Sequence, residues 1–191
     1  MSFHLKKCMA LNVTYQQKRK QTSYQLHGHA TENVTTTKYL GVNIQDCMRW
    51  ATHINTITNK ANKTLGFLRR NLTIGTKKTK KTVYKVLVRL ILQYAATVWE
   101  PYTENEISSI EKVQHRVAKW VSNQHHQTQC INSIMDSLEW PTVQQRRRKT
   151  RLEMFFKFHH GLNSISSSYL PRPTSSRSSS RKNNNYRGVQ L

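Results

Sequence analysis

The sequence predicts an α+β protein with a small antiparallel β-meander at the N-terminus, a mainly α-helical bundle after it and a disordered C-terminal tail. Apolar and polar residues alternate in the first part of the chain, as in half-buried strands. From Trp50 onward apolar residues recur every three or four positions, as on helices. After Ser164 the chain is mainly Ser, Arg and Asn, which cannot form a core. We therefore expect four regions, at residues 1–46, 47–122, 123–163 and 164–191.

The β-meander is predicted from three short segments. In the first, four apolar residues alternate with polar neighbours, at Met9, Leu11, Val13 and Tyr15. A second strand begins at Tyr24 and reaches the turn at residues 27–29, and a third runs from Lys38 to Ile44. A sheet of this size has to pack on another element, so we expect the helices to cover it.

The first two helices are predicted from Trp50 to Leu72 and from Thr76 to Trp99, with Gly75 between them and Pro101 as the stop. The first has one narrow apolar face, at Trp50, Ile54, Ile57, Ala61, Leu65, Leu68 and Leu72. The second is apolar on one side, at Val83, Leu87, Leu90, Tyr94 and Val98. Because its other residues are also fairly apolar, we expect it to be central in the bundle.

Two more helices and a short amphipathic turn complete the bundle. Thr103 and Glu106 form a Thr-x-x-Glu capping box, which opens a helix with an apolar face at Ile107, Ile110, Val113, Val117 and Val121. After a polar link comes an amphipathic turn, with Ile131, Ile134, Met135 and Leu138. The last helix is predicted to have Pro141 in its first turn and to stop at Gly161.

Positive charge dominates the composition, with 31 Lys and Arg against 9 Asp and Glu and a formal charge of +22. Self-repulsion of this size is normally offset by a polyanion, and nucleic acid is the commonest one. A solvated basic surface with no specific partner is the alternative. We therefore predict nucleic acid as the partner, as an RNA–DNA or DNA duplex that is bound with little sequence specificity.

The cations are arranged in stripes, which predict where nucleic acid binds. One stripe follows the second helix, at Lys78, Lys81, Lys85 and Arg89, and another follows the third, at Lys112, Arg116 and Lys119. A third group surrounds the start of the last helix, at Arg146, Arg147 and Arg148. With Lys63 and Arg70, these are the predicted nucleic-acid-binding residues, because basic stripes can follow a phosphate backbone. For any single stripe, an ordinary solvated helix face is the alternative.

Catalytic chemistry is not predicted for this chain. Metal-dependent polymerases and nucleases need carboxylates that converge on Mg²⁺, and no two of the 9 acidic residues are adjacent. His125, His126 and Cys130 lack a second ligand pair at zinc-finger spacing, so a polar loop is favoured over a metal site. We predict no catalytic residue, no metal site and no cofactor.

Cysteine usage and hydropathy indicate the compartment. The cysteines, Cys8, Cys47 and Cys130, are odd in number and far apart, which favours a reducing environment over a disulfide framework. No apolar run approaches the length of a membrane span, and the first residues lack the apolar core of a signal peptide. We expect an intracellular protein, in the nucleus or the cytoplasm, that is neither secreted nor inserted in a membrane.

A series of short motifs runs along the chain in a consistent order. It begins with residues 38–42 (Lys-Tyr-Leu-Gly-Val), Trp50, residues 53–55 (His-Ile-Asn) and the segment from Lys60 to Leu72. It continues with Leu87-Val88-Arg89, Tyr94-Ala95, Val98-Trp99, Pro101-Tyr102, and the segments 110–114, 138–141 and 146–162. From Lys7 to Leu162, this order resembles the reverse transcriptases of jockey-like non-LTR (LINE-type) retrotransposons.

The resemblance implies a position after the Ala-Asp-Asp catalytic motif of the polymerase. The strands up to Ile44 would be the end of the palm, and the helices from Trp50 would be the thumb and the region beyond it, which hold the template–primer duplex. The catalytic aspartates and the Mg²⁺ they bind would belong to the remainder of the polymerase, which is an expected partner. Leu90 departs from the family, which usually has Pro at that position.

Two hypotheses of function follow. The first is a partial RNA-directed DNA polymerase that retains template–primer-binding thumb helices and lacks the catalytic aspartates. The second is a stand-alone basic RNA- or DNA-binding protein, such as a domesticated fragment. The order of the motifs favours the first hypothesis, and the missing catalytic half keeps the second open.

Overall fold

The computed structural model describes residues 8–14, 23–123, 130–164 and 169 of the chain. Within these ranges short strands precede a set of helices, which confirms the α+β class. The strands are β1 (Met9–Leu11), β2 (Gln25–Leu26), β3 (His29–Ala30), β4 (Glu32–Val34), β5 (Thr36–Tyr39) and β6 (Val42–Gln45). The predicted disordered tail lies almost wholly outside the described residues, as does the polar link at 124–129.

The helices form the larger part of the fold. They are α1 (Ala51–Asn71), α2 (Lys77–Val83), α3 (Arg89–Gln93), α4 (Glu104–Val121), α5 (Ile131–Leu138) and α6 (Val143–His159). A π-helical segment, Tyr84–Val88, joins α2 directly to α3. α1 and α6 each pack against both α3 and α4, while α5 packs on α4.

In the described part of the chain the strands form three separate ladders, which corrects the prediction of one antiparallel meander. β2 with β3 and β5 with β6 are antiparallel hairpins. β1 instead pairs in parallel with β4, with Met9 opposite Glu32. The segment between β1 and β4 is long enough for the crossover connection that a parallel pair of strands requires. Alternation of residue types does not distinguish this pairing from an antiparallel one.

The segment predicted as one strand from Lys38 to Ile44 is a hairpin. Leu40 and Gly41 join β5 to β6, with φ angles of 46° and 85°. Two successive positive φ values give the tight turn that suits the right-handed twist of paired strands. The Tyr94 hydroxyl donates to the Leu40 carbonyl at 2.7 Å, and a Cβ at Gly41 would lie 3.3 Å from the Tyr94 ring. The hairpin tip is therefore held close to the end of α3.

The apolar faces predicted for α1, α4 and α5 are confirmed. The face of α1 from Trp50 to Leu68 is buried in one core with residues of α4, α5 and the π-helical segment. Ile110, Val113 and Val117 of α4 are buried, although Ile107 is only half-buried. The capping box is present, since the Thr103 hydroxyl accepts from the Glu106 N–H at 3.3 Å.

The second predicted helix differs from expectation in its length and in its buried face. It ends at Gln93 rather than at Trp99, and the π-helical segment interrupts it. The residues that face the core are Tyr84, Val88 and Leu92, whereas the face predicted to be buried is exposed at Leu87, Leu90, Tyr94 and Val98. The buried residues are four apart, which suits the wider turn of a π-helix. The face that α-helical periodicity predicts to be buried therefore points away from the core.

The last helix begins after Pro141, not with it as predicted. Thr142 occupies the cap position, and its hydroxyl accepts from the Gln145 N–H at 3.0 Å. The Gln145 side chain in turn accepts from the Thr142 N–H at 3.0 Å, so this end is a second capping box. The predicted stop at Gly161 is confirmed, because α6 ends at His159 and Gly161 has a φ of 64°.

Candidate nucleic-acid interface

The basic stripe on α4 lies at the protein surface. Lys112, Arg116 and Lys119 are all exposed, as predicted. Arg116 donates from Nη1 to the side-chain oxygen of Asn62 at 2.9 Å, which links the stripe to α1. Lys63, the residue after Asn62, is exposed as well. α1 and α4 therefore present cations on neighbouring surfaces.

The end of α1, the start of α2 and the end of α4 meet at one end of the helical bundle. Lys80 fixes this arrangement, because its ammonium group donates to the Asn123 side chain at 2.6 Å and lies 5.3 Å from the centre of the Trp120 ring. The short connection at residues 72–76 holds α1 and α2 together. Six further cations belong to the end of α1, to α2 and to the end of α4, and we name them the basic end: Arg69, Arg70, Lys77, Lys78, Lys81 and Lys119.

The charges of the basic end are not neutralised by any ion pair in the described part of the chain. The ion pairs there join Arg147 and Arg151 to Glu100, and Lys149 to Glu153. The first turn of α2 contains no acidic residue and carries Lys77 and Lys78. Cations at a helix N-terminus are unfavourable, because they face the positive end of the helix dipole. Their position therefore favours binding of an anion and opposes helix stability.

Arg147 corrects the prediction that all three arginines at the start of α6 face nucleic acid. Its side chain is 1% exposed, and the guanidinium lies over the Trp99 ring at 3.5 Å. Nη1 donates to the Leu92 carbonyl at 3.2 Å, and Nη2 donates to the Trp99 carbonyl and lies 3.8 Å from the Glu100 carboxylate. Burial is the main cause that lowers the pKa of Arg147, to about 10, so it stays charged at neutral pH. We name this group the arginine clamp: Arg147, Trp99 and Glu100.

The other predicted cations are spread over the bundle. Arg148 is exposed, whereas Arg146 is half-buried and donates to the Pro141 carbonyl at 2.9 Å. Lys85 is exposed and Arg89 half-buried, both beyond α2 along the chain. The predicted stripe on the second helix is therefore divided, with Lys78 and Lys81 at the basic end and the other two residues further along.

His53 is a second buried titratable group, and it touches the arginine clamp. It is 2% exposed, and its ring packs edge-on against Trp99 with 4.8 Å between the ring centres. Nδ1 accepts from the Asn43 backbone N–H at 3.3 Å, which ties β6 to α1. Burial, with a smaller contribution from the charge of Arg147, lowers the pKa of His53 to about 4. The imidazole is therefore neutral at pH 7 and has a structural role.

A cavity of about 430 Å³ lies between α4, α5 and the start of α6. Met135 and Trp140 are its buried apolar lining, and Asp136 and Glu139 are exposed around it. The negative charges of these two carboxylates repel phosphate groups. The cavity is therefore unsuited to the phosphate backbone, in contrast to the basic end.

The described ranges contain neither a metal-ligating cluster nor a membrane-spanning helix. No group of three or more His, Cys, Asp or Glu residues there is placed to hold a metal ion. Cys130 is exposed, and its predicted neighbours His125 and His126 lie outside the described residues. None of the helices described is both long and apolar enough to cross a membrane.

Two members of the basic end were not among the predicted binding residues. Arg69 precedes Arg70 in the last turn of α1, and Lys77 precedes Lys78 in the first turn of α2. The sequence does contain a signal for both. A connection as short as residues 72–76 forces the charges at the end of one helix to lie beside those at the start of the next.

No protein-family model, curated protein or solved structure matches the chain.

Proposed function

We propose that the chain binds nucleic acid through the basic end and the stripe on α4, with little sequence specificity. The observation that carries this proposal is the grouping of six cations that no described ion pair neutralises: Lys80 anchors α2 to the end of α4, and the short connection at residues 72–76 joins the end of α1 to α2. Such a surface complements a phosphate backbone, and release of counterions from the nucleic acid supplies the affinity. Phosphate contacts fix position without reading sequence, so little specificity is expected.

We also propose that the chain corresponds to the thumb and downstream region of a non-LTR retrotransposon reverse transcriptase, and holds the template–primer duplex. The positions of the motif residues support this. The motif at 60–72 forms the part of α1 that leads into the basic end. The motifs that contain Trp99 and Arg147 are far apart in the sequence and meet in the arginine clamp. On this proposal the chain extends no primer by itself, because the catalytic aspartates and Mg²⁺ belong to the remainder of the polymerase.

A free-standing RNA- or DNA-binding protein is the second candidate. The observation that favours it is the covering of the apolar face of α1 by α3 and α4 of the same chain. A core that closes on itself does not need a further domain to shield it. A thumb is expected to prefer a duplex with a recessed primer end over a single strand, whereas a free-standing protein with a merely basic surface is not.

The test is a titration of labelled duplex and single-stranded oligonucleotides at several salt concentrations. Each phosphate contact on duplex DNA contributes about 0.9 to the magnitude of the log–log salt slope. Replacing Arg69, Lys77 and Lys78 together by Gln should therefore flatten the slope by roughly 2 to 3 units. The matched control replaces by Gln three exposed cations that are neither in the basic end nor among the predicted binding residues: Lys38, Arg49 and Lys157.

The control variant carries the same change of charge, so it measures the loss of long-range attraction alone. We expect its slope to change by less than about 1 unit. Equal flattening in the two variants would show that the charge of the whole chain, and not the basic end, determines binding. Circular dichroism spectra of both variants should match that of the parent chain, since Gln nearly preserves helix propensity.

A further inference from the structure

The connection between α1 and α2 presents one bare apolar side chain. Ile74 is 97% exposed, the highest exposure among the large apolar residues described. It lies between Arg70 at the end of α1 and Lys77 at the start of α2, which are both members of the basic end. An isolated exposed isoleucine is ordinary on a protein surface, but this one stands among cations.

The residues around Ile74 hold the connection in place. The Leu72 N–H donates to the Leu68 carbonyl at 2.8 Å, and the Leu72 side chain packs against the core. The Thr76 hydroxyl caps α2 by accepting from the Thr79 N–H at 3.2 Å. A Cβ at Gly75 would lie 3.7 Å from the Leu72 Cβ and the Lys80 Cγ, so the backbone there is in packing contact with both residues. Ile74 is thus displayed on an anchored turn.

We infer that Ile74 inserts between the bases of the bound nucleic acid, at a base step or at the end of a duplex. This inference rests on the proposed binding of nucleic acid at the basic end. Cations on both sides of Ile74 would hold phosphates, which brings the apolar side chain towards the bases. Isoleucine is branched at Cβ and has few rotamers, so it loses little freedom on insertion. Apolar residues act as wedges of this kind in proteins that unstack base pairs.

The alternative binding partner of Ile74 is an apolar surface of another protein. Six cations would then be placed against that surface, and each would need an acidic partner to offset its desolvation. Nucleic acid supplies negative charge and apolar base faces together. The charge around Ile74 therefore favours nucleic acid.

The test compares Ile74→Ala with Leu162→Ala, a substitution of another exposed apolar residue outside the basic end. Short duplexes that contain 2-aminopurine report unstacking as a rise in fluorescence. We expect the parent chain and Leu162→Ala to produce this rise and Ile74→Ala to lose most of it. Ile74→Ala should also bind roughly fivefold to tenfold more weakly, through the lost apolar contact. Its salt slope should be unchanged, because isoleucine displaces no counterions.

Different failures have different meanings. If the parent chain binds duplex with a slope that depends on the basic end but gives no fluorescence rise, or Ile74→Ala keeps the rise, the insertion is wrong and the proposed function stands. If no variant binds any oligonucleotide, the proposed function and the insertion both fail. Self-association of the parent chain that Ile74→Ala abolishes without nucleic acid would assign Ile74 to a protein contact. Matching thermal unfolding of the two variants would show that neither effect comes from misfolding.

Discussion

The basic end and the arginine clamp both take their cations from runs of adjacent basic residues in the sequence, yet these cations have opposite environments. At the basic end, Lys77 and Lys78 are exposed, lack an ion pair among the described residues and face a helix dipole of the same sign. In the clamp, Arg147 is buried, stacks on Trp99 and donates to two backbone carbonyls. Arg147 is held by partners within the fold, although its buried Nε has none among the described residues, whereas Lys77 and Lys78 are available to a ligand.

The largest expected effect is the removal of the clamp. Arg147→Ala should lower the free energy of unfolding by about 3–5 kcal/mol, because it leaves a cavity beside the Trp99 ring and two buried carbonyls, of Leu92 and Trp99, without their donor. Glu100 keeps its ion pair with Arg151. Arg148→Ala, at the exposed neighbouring position, should change it by less than about 0.5 kcal/mol. Urea unfolding of both variants measures the contrast. Similar values for the two would show that Arg147 does not hold α3 and α6 together.

The next effect is the pH dependence that the buried His53 confers on stability. Its folded pKa of about 4 lies below the unfolded value of 6.5, so the unfolded chain takes up the proton first. The contribution of the neutral His53 to the free energy of unfolding is therefore complete above pH 6.5. It is lost as the pH falls towards 4, and its total is about 3 kcal/mol. Urea unfolding from pH 7 to pH 4 should show a shallower decline in His53→Gln than in the parent chain. Equal declines would mean that His53 is protonated without cost in the folded protein.

The difference between the basic end and the arginine clamp could be predicted only in part from the sequence. The charge excess, the helix faces of α1 and α4 and the Thr103–Glu106 cap follow from local patterns, and the structure agrees with them. Arg147 could not be placed, because its burial depends on Trp99, which lies far away in the chain and next to a turn that replaces the predicted helix. The buried face of the second predicted helix could not be chosen either. Apolar residues occur on all sides of this helix, and the π-helical segment determines which of them face the core.

The hairpin at Leu40 and Gly41 shows the same limit at shorter range. The residues on both sides suit a strand, and only the single Gly indicates a turn. Tyr94, which closes over that turn, comes from a helix end that sequence patterns placed inside a longer helix. Contacts between distant segments therefore decided each of the details that local patterns left open.

The smallest expected effect has opposite signs for stability and for binding, and it tests the comparison most directly. Lys77→Glu replaces an unfavourable charge in the first turn of α2 by a favourable one, and should raise the free energy of unfolding by about 0.5–1 kcal/mol. The same change should weaken duplex binding, because a cation of the basic end becomes an anion.

The control for this prediction is Lys157→Glu, which makes the same change of charge in the last turn of α6, where the dipole favours a cation. It should therefore lower stability slightly, by about 0.3–1 kcal/mol, and affect binding less than Lys77→Glu does. Thermal unfolding and salt-dependent titrations of both variants measure the four values. A loss of stability in Lys77→Glu would show that Lys77 supports the fold, and the basic end would then resemble the clamp.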